Sequence, residues 1–152
     1  MLNTEDRLIE FSGIPVEKDF AWIEMDGRPF RVRNFKFGDK AKKTLVFIGG
    51  YSFSVLRYVS IFRALSERYR VVAIEHGSYG MNTKLIECSG YASHEAAEDW
   101  IIDFLLKVFN KLDLPEKFYL LGLCYGGILA PLYASVQPHR VESLFCCHPA
   151  GF

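Results

Sequence analysis

The sequence predicts an α/β protein: an N-terminal hairpin followed by a mostly parallel sheet of about six strands with helices on both faces. Two observations carry this. From Thr44 onward, short apolar runs alternate with segments whose apolar residues recur at helical spacing, the pattern of right-handed βαβ units. Before Thr44, two aromatic-rich runs flank Asp26-Gly27, a hairpin signal.

Taken in order, residues 1–19 are polar and mixed, and read as a leading arm with a short helical turn; residues 20–152 read as one domain. Strands are expected at 20–25 and 29–37, with Phe30, Val32 and Phe35 on one face of the second and Arg31 and Arg33 on the other. Residues 44–50, TLVFIGG, read as a buried parallel strand ending in glycines. A helix is expected over 54–68, with Val55, Val59, Phe62 and Leu65 on its apolar stripe, and a strand over YRVVAIEHG. The strongest helical signal covers 93–112. Ser93 can cap it, acids fill its early turns, Lys107 and Lys111 sit late, and Pro115 follows. Then KFYLLGLCYGG passes from strand to helix, with Pro131 expected to bend or loosen that helix. VESLFCCHPAGF begins as a strand and ends as a loop. The carboxyl ends of the parallel strands, at Gly49-Gly50-Tyr51, Glu75-His76-Gly77, Gly122–Gly127 and His148-Pro149, should converge on one cleft.

Composition narrows the function classes. Lys plus Arg equal Asp plus Glu at 18 each, so nothing favours a nucleic-acid partner or a strongly anionic surface. No apolar run approaches the ~18 residues of a membrane span. The acidic start MLNTEDRLIE lacks an apolar leader core, which sets a cytoplasmic expectation. The four cysteines, at 88, 124, 146 and 147, form no Cys-x-x-Cys pair. Cys146 and Cys147 should point to opposite faces of their strand, as reduced, buried thiols. No cofactor and no metal site is expected, since His76, His148 and Cys124 lack ligand-like spacing.

Gly122-Leu123-Cys124-Tyr125-Gly126-Gly127 is the stretch with chemistry in it. A nucleophile between glycines at a strand-to-helix junction sits on a tight turn, exposed above the sheet. The helix N-terminus behind it favours an anion and can lower a thiol from its ordinary pKa of ~8.5. The competing description is a small cysteine that simply packs.

These features together resemble the α/β-hydrolase-fold superfamily, including its lipid-related hydrolase-domain group. The resemblance runs from about Phe20 to Phe152, over the N-terminal part of that fold. LVFIGGY (45–51) resembles the strand and oxyanion loop usually written His-Gly-x. VVAIEHGSYGMN (71–82) resembles Asp-x-x-Gly-x-Gly-x-Ser, and GLCYGG resembles the nucleophile elbow. ASVQPHRVESLFCCHPAGF (134–152) resembles the helix end and strand that precede the lid. The resemblance implies Cys124 at the nucleophile position, with the N–H groups of Tyr125 and Tyr51 as oxyanion donors. It also implies acyl ester or thioester hydrolysis, and the Phe, Tyr and Ile residues around the loops suit an apolar acyl substrate.

The departures are specific. Cys124 stands for the commoner serine, Gly49 for histidine, Glu75 for aspartate and Ser78 for glycine. The family places its acid and histidine after later strands, together with the last strands and lid that this partial fold lacks, so no residues match them here. His148 is the substitute base considered first, ahead of His76; for both, ordinary loop hydrogen bonding is the competing expectation. The chain is then expected to be inactive alone: a fragment, one half of a split protein, or a structural and interaction subunit of a larger assembly. In each case the bare edge strand at 142–147 should pair with a protein partner or a missing C-terminal segment.

Overall fold

The structure, a computed structural model, describes residues 4–50, 54–76 and 93–149. Helix α1 (Thr4–Ser12) leads into strands β1 (Val16–Met25) and β2 (Arg28–Phe37). Strand β3 (Lys43–Ile48) is followed by a short 3-10 helix (Val55–Tyr58) and α2 (Val59–Leu65). Next come β4 (Tyr69–Glu75), α3 (His94–Lys111), β5 (Phe118–Leu123), α4 (Gly126–Val136) and β6 (Val141–Cys147).

The strands form one six-stranded sheet in the order β1-β2-β4-β3-β5-β6. The hairpin closes through Asp26 and Gly27 at φ 50° and 69°, the left-handed pair a type I′ turn needs. β2 pairs antiparallel with both β1 and β4, whereas β4, β3, β5 and β6 are parallel. β2 is therefore internal, and this corrects the expected division of its faces. The pleat runs unbroken through its pairing with β1, so Phe35 lies opposite to Phe30 and Val32. Phe35 joins Phe37 and Phe62 in one core, while Phe30 and Val32 join α3 and α4 in the other. Arg33 shares the Phe35 face and is only 4% exposed. Its guanidinium donates to both carboxylate oxygens of Glu5 in α1 at 2.6 and 2.7 Å and lies 4.6 Å over the Phe35 ring. That bidentate pairing compensates the buried charge and holds the Glu5 carboxyl below its ordinary range.

The chain leaves β3 for β4 on one side, then returns past β3 to β5 on the other. Right-handed crossovers therefore place α2 on one face and α3 and α4 on the other. The direction of winding reverses between β3 and β5, the position outside whose carboxyl ends open α/β sheets bind ligands. α3 begins where Ser93 accepts from the Ala96 N–H. α4 continues through Pro131. No described helix is long and apolar enough to cross a membrane.

β6 closes the sheet at the other edge, and Glu142 to Cys147 are all exposed. The expectation of buried thiols fails there: Cys146 and Cys147 are free and exposed, because no described element packs beyond β6.

Candidate active site

β5 ends at Leu123 and α4 starts at Gly126, which leaves Cys124 and Tyr125 to make the whole turn. Cys124 takes φ 57°, a left-handed backbone that costs a residue with a Cβ about 1–2 kcal/mol. The surroundings over-determine it. A Cβ on Gly122 would lie 2.1 Å from the Gly126 carbonyl oxygen, and one on Gly126 would lie 2.1 Å from the Ile48 carbonyl oxygen. Only glycine lets β5, α4 and β3 approach this closely. Cys124 N–H donates to Cys147 O at 3.0 Å, and Gly127 N–H donates to Cys124 O at 2.9 Å. The half-buried thiol is thus carried at the start of an 11-residue helix whose N-cap, Tyr125, offers no capping side chain. The positive end of that helix favours a thiolate or an oxyanion.

Four strand ends meet at this turn. Gly126 N–H donates to Gly49 O at 3.1 Å, which ties the elbow to the end of β3. The buried His76 ring, just past β4, places Nε2 2.6 Å from the same carbonyl and lies 5.5 Å from the Tyr125 ring. Burial depresses His76 to about 4, so it is neutral near pH 7 and donates from Nε2. Pro149, beyond β6, packs against Gly127 so closely that a Cβ there would lie 2.8 Å from its ring. Glu75, beside His76, points to the other face. Its carboxylate accepts from Ser54 Oγ and from Val55 N–H at 3.1 Å, at the start of the 3-10 helix. Burial pushes Glu75 up, against the lowering effect of Ser54.

The family model described as alpha/beta hydrolase fold matches residues 43–150. The chain belongs to the α/β-hydrolase-fold family. A protein of Oryza sativa subsp. japonica named "Probable 1-acylglycerol-3-phosphate O-acyltransferase" is 36% identical over 110 residues, covering 72% of this chain and 26% of that protein. Abhydrolase domain-containing protein abhd-5.2 of Caenorhabditis elegans is 34% identical over 113 residues, covering 74% of this chain and 24% of its own length. The chain thus spans about a quarter of the curated relatives it matches. Carboxylesterase CesB of Bacillus subtilis superposes with a TM-score of 0.69 at 21% identity, over 96% of this chain and 47% of that one, which speaks for the fold.

Within this hydrolase-fold chain, the structure brings some of the expected site residues together. Cys124 and Tyr125 form the elbow. His148 follows Cys147, the register partner of Leu123, so it is level with Cys124. It too is left-handed, at φ 47°, and it is exposed. Among the described residues no hydrogen bond joins the two side chains. Tyr51, the expected second oxyanion donor, lies outside the described residues. The described residues hold no cluster of three or more His, Cys, Asp or Glu that could bind a metal.

The sequence places Glu75-His76 at a cleft-lining strand end, with Glu75 as a substitution for aspartate and His76 second to His148 as a base, but it shows no hydrogen-bonding partner for either. Their consecutive placement at a strand end carried the missing signal. Strand alternation sends them to opposite faces, where one can meet the glycines after β3 and the other Ser54.

Proposed function

We propose that this chain supplies the nucleophile part of an acyl-transfer site. The Cys124 sulfur attacks an ester or thioester carbonyl, and the Tyr125 and Tyr51 N–H groups receive the oxyanion. As the tetrahedral intermediate collapses, the bond to the leaving alkoxide or thiolate breaks, and a thioester to Cys124 is left for water or a second acceptor. His148, level with Cys124, is the proposed acceptor of the thiol proton. The substrate class is an apolar acyl compound; the Oryza relative named for acylglycerol phosphate acylation supports that class. The observation that carries this reading is the left-handed Cys124 at the head of α4.

The test is acyl trapping. On incubation with p-nitrophenyl butyrate, p-nitrophenolate is released and peptide mass mapping should find butyryl on Cys124. Cys124→Ala should abolish that adduct. Acylation confined to the exposed Cys146 and Cys147 would overturn the proposal.

A second reading, an interaction subunit with an idle elbow, is favoured by the β6 edge. Leu144 and Phe145 are 38% and 51% exposed there, beside the open backbone groups of an edge strand. On this reading a partner strand, from another chain or from a longer form of this polypeptide, adds to β6. Association seen by sedimentation should be lost in Phe145→Lys. A chain that is monomeric at every concentration and binds no partner would count against it.

A further inference from the structure

We infer that His76 is a positioning residue of the oxyanion pocket: one buried ring holds the Gly49 carbonyl, to which the Gly126 N–H is tied, and backs Tyr125, and so sets the elbow backbone proposed to receive a developing oxyanion. The inference rests on the reading of Cys124 as a nucleophile and adds to it a residue which that reading does not use.

Geometry carries the argument. His76 is 4% exposed at the end of β4. Its Nε2 lies 2.6 Å from Gly49 O. A carbonyl can only accept, so Nε2 bears the proton and the ring is the Nε2–H tautomer. The same oxygen accepts from Gly126 N–H at 3.1 Å. Gly49 O therefore joins β3, the post-β4 residue and the elbow at one atom, with both of its lone pairs engaged. Because the peptide is planar, fixing that carbonyl also fixes the opposite direction of the Gly50 N–H. On its other side the His76 ring lies 5.5 Å from the Tyr125 ring with 31° between the planes.

Glu75 completes the arrangement. It holds Ser54 and Val55 at the start of the 3-10 helix, so two adjacent residues at the end of β4 contact Gly49 on one side and Ser54 on the other. The Nε2–H of His76 is committed to a backbone carbonyl. Its depression to about 4 by burial keeps it a neutral donor.

Two reactions of the same sulfur separate this role from simple structural support. Acylation by p-nitrophenyl butyrate passes through an oxyanion, whereas alkylation by iodoacetamide is a displacement at carbon that forms none. Losing a direct oxyanion donor typically costs ~10²–10³ in rate, so a displaced donor should cost roughly ten-fold or more. His76→Leu should slow Cys124 acylation by that factor and leave its alkylation within about two-fold. His76→Gln, whose amide can donate from a similar position, should recover most of the acylation rate. If His76→Leu does not fold, His76→Asn, which is too short to reach Gly49, takes its place. Equal loss of acylation and alkylation, or no loss of either, overturns the inference.

A second readout is independent of turnover. Amide hydrogen exchange at Gly126 should accelerate in His76→Leu but not in His76→Gln, with Leu120 exchange unchanged in both. If wild-type Cys124 is never acylated, the proposed function fails, and Gly126 exchange alone decides whether His76 fastens the elbow to Gly49. Unchanged Gly126 exchange in His76→Leu rejects it.

Discussion

Gly126→Ala tests the close approach on which the whole elbow depends. The added methyl would lie 2.1 Å from the Ile48 carbonyl oxygen and 2.7 Å from both the Ile48 carbonyl carbon and the Gly49 oxygen. Attractive contact begins near 3.5 Å, so the seam must open by about 1.4 Å. The struck atoms are main chain of β3, which is paired to β4 on one side and β5 on the other. The strand cannot yield, so α4 must lift. Lifting sacrifices the 3.1 Å bond from Gly126 N–H to Gly49 O, a net loss of about 1 kcal/mol, and overpacking adds about 1–3 kcal/mol. We expect a destabilisation of about 3 kcal/mol. In urea unfolding that is a midpoint shift of roughly 1–2 M at unchanged slope, and in thermal unfolding about 6–12 °C for a domain of this size. Gly122→Ala strikes the same seam from below, 2.1 Å from the Gly126 oxygen and 2.9 Å from Ala130 Cβ. Once one methyl has lifted α4, the second meets less resistance, so the double variant should fall short of the sum by more than about 0.5 kcal/mol. Single losses under about 1 kcal/mol, or strict additivity, would refute the argument that α4, β3 and β5 share one seam.

Three further outcomes follow from the same site. His76 is neutral in the fold with a pKa of about 4, but near 6.5 when unfolded, so the unfolded chain takes up the proton first as pH falls. Stability should drop by about 1.4 kcal/mol per unit between roughly pH 6.5 and 4, and His76→Gln should remove that slope. Glu75, raised by burial, acts with the opposite sign, gaining stability as pH falls; Glu5, lowered by Arg33, loses its contribution only below its unfolded range. The comparison is therefore cleanest in a Glu75→Gln background, and a slope that survives His76→Gln there contradicts the assignment. Cys124→Gly should stabilise the fold by about 0.5–1 kcal/mol net, because it relieves the left-handed strain but frees the unfolded chain; a denaturant midpoint that falls would show there is no strain to relieve. Glu75→Gln should change stability by under about 1 kcal/mol, since its amide oxygen still accepts from Ser54 and Val55. Glu75→Ala should cost about 2–3 kcal/mol by leaving those buried donors unpaired, and equal unfolding midpoints for the two variants would reject that distinction.

Much of the architecture was legible because its signals are local. Asp26-Gly27 can make the hairpin turn by its own backbone preferences, and Ser93 with the stripe from Trp100 to Leu112 announces α3. GLCYGG was legible as an elbow because its glycines are required by strand-helix proximity. What escaped depends on who sits next to whom. The burial of Arg33 could not be read without knowing that β2 is flanked by β1 and β4 and roofed by α1 with Glu5. The exposure of Cys146 and Cys147 depends on the place of β6 at the sheet edge. The roles of Glu75 and His76 arise only where β4 lies beside β3, a crossover pairing that no spacing along the chain encodes.

The energetics of the elbow bear on the choice between an active site and an idle one. Close packing at Gly122 and Gly126 would be needed in either case, since it joins α4 to the sheet. The left-handed backbone at Cys124 is different. Glycine would occupy φ 57° without strain, so a residue with a Cβ there accepts a penalty of about 1–2 kcal/mol, and a structural role draws nothing from it. The penalty is repeated one strand away, where His148 stands at φ 47° level with Cys124. Strain of this kind persists where surrounding structure fixes it, and it concentrates at functional sites. Two strained, chemistry-bearing side chains on adjacent strand ends, beside a helix N-terminus and the doubly held Gly49 carbonyl, support the proposed acyl chemistry over an idle elbow. A partner strand that covered the exposed β6 edge would also lie next to His148, so pairing there does not by itself require an idle elbow.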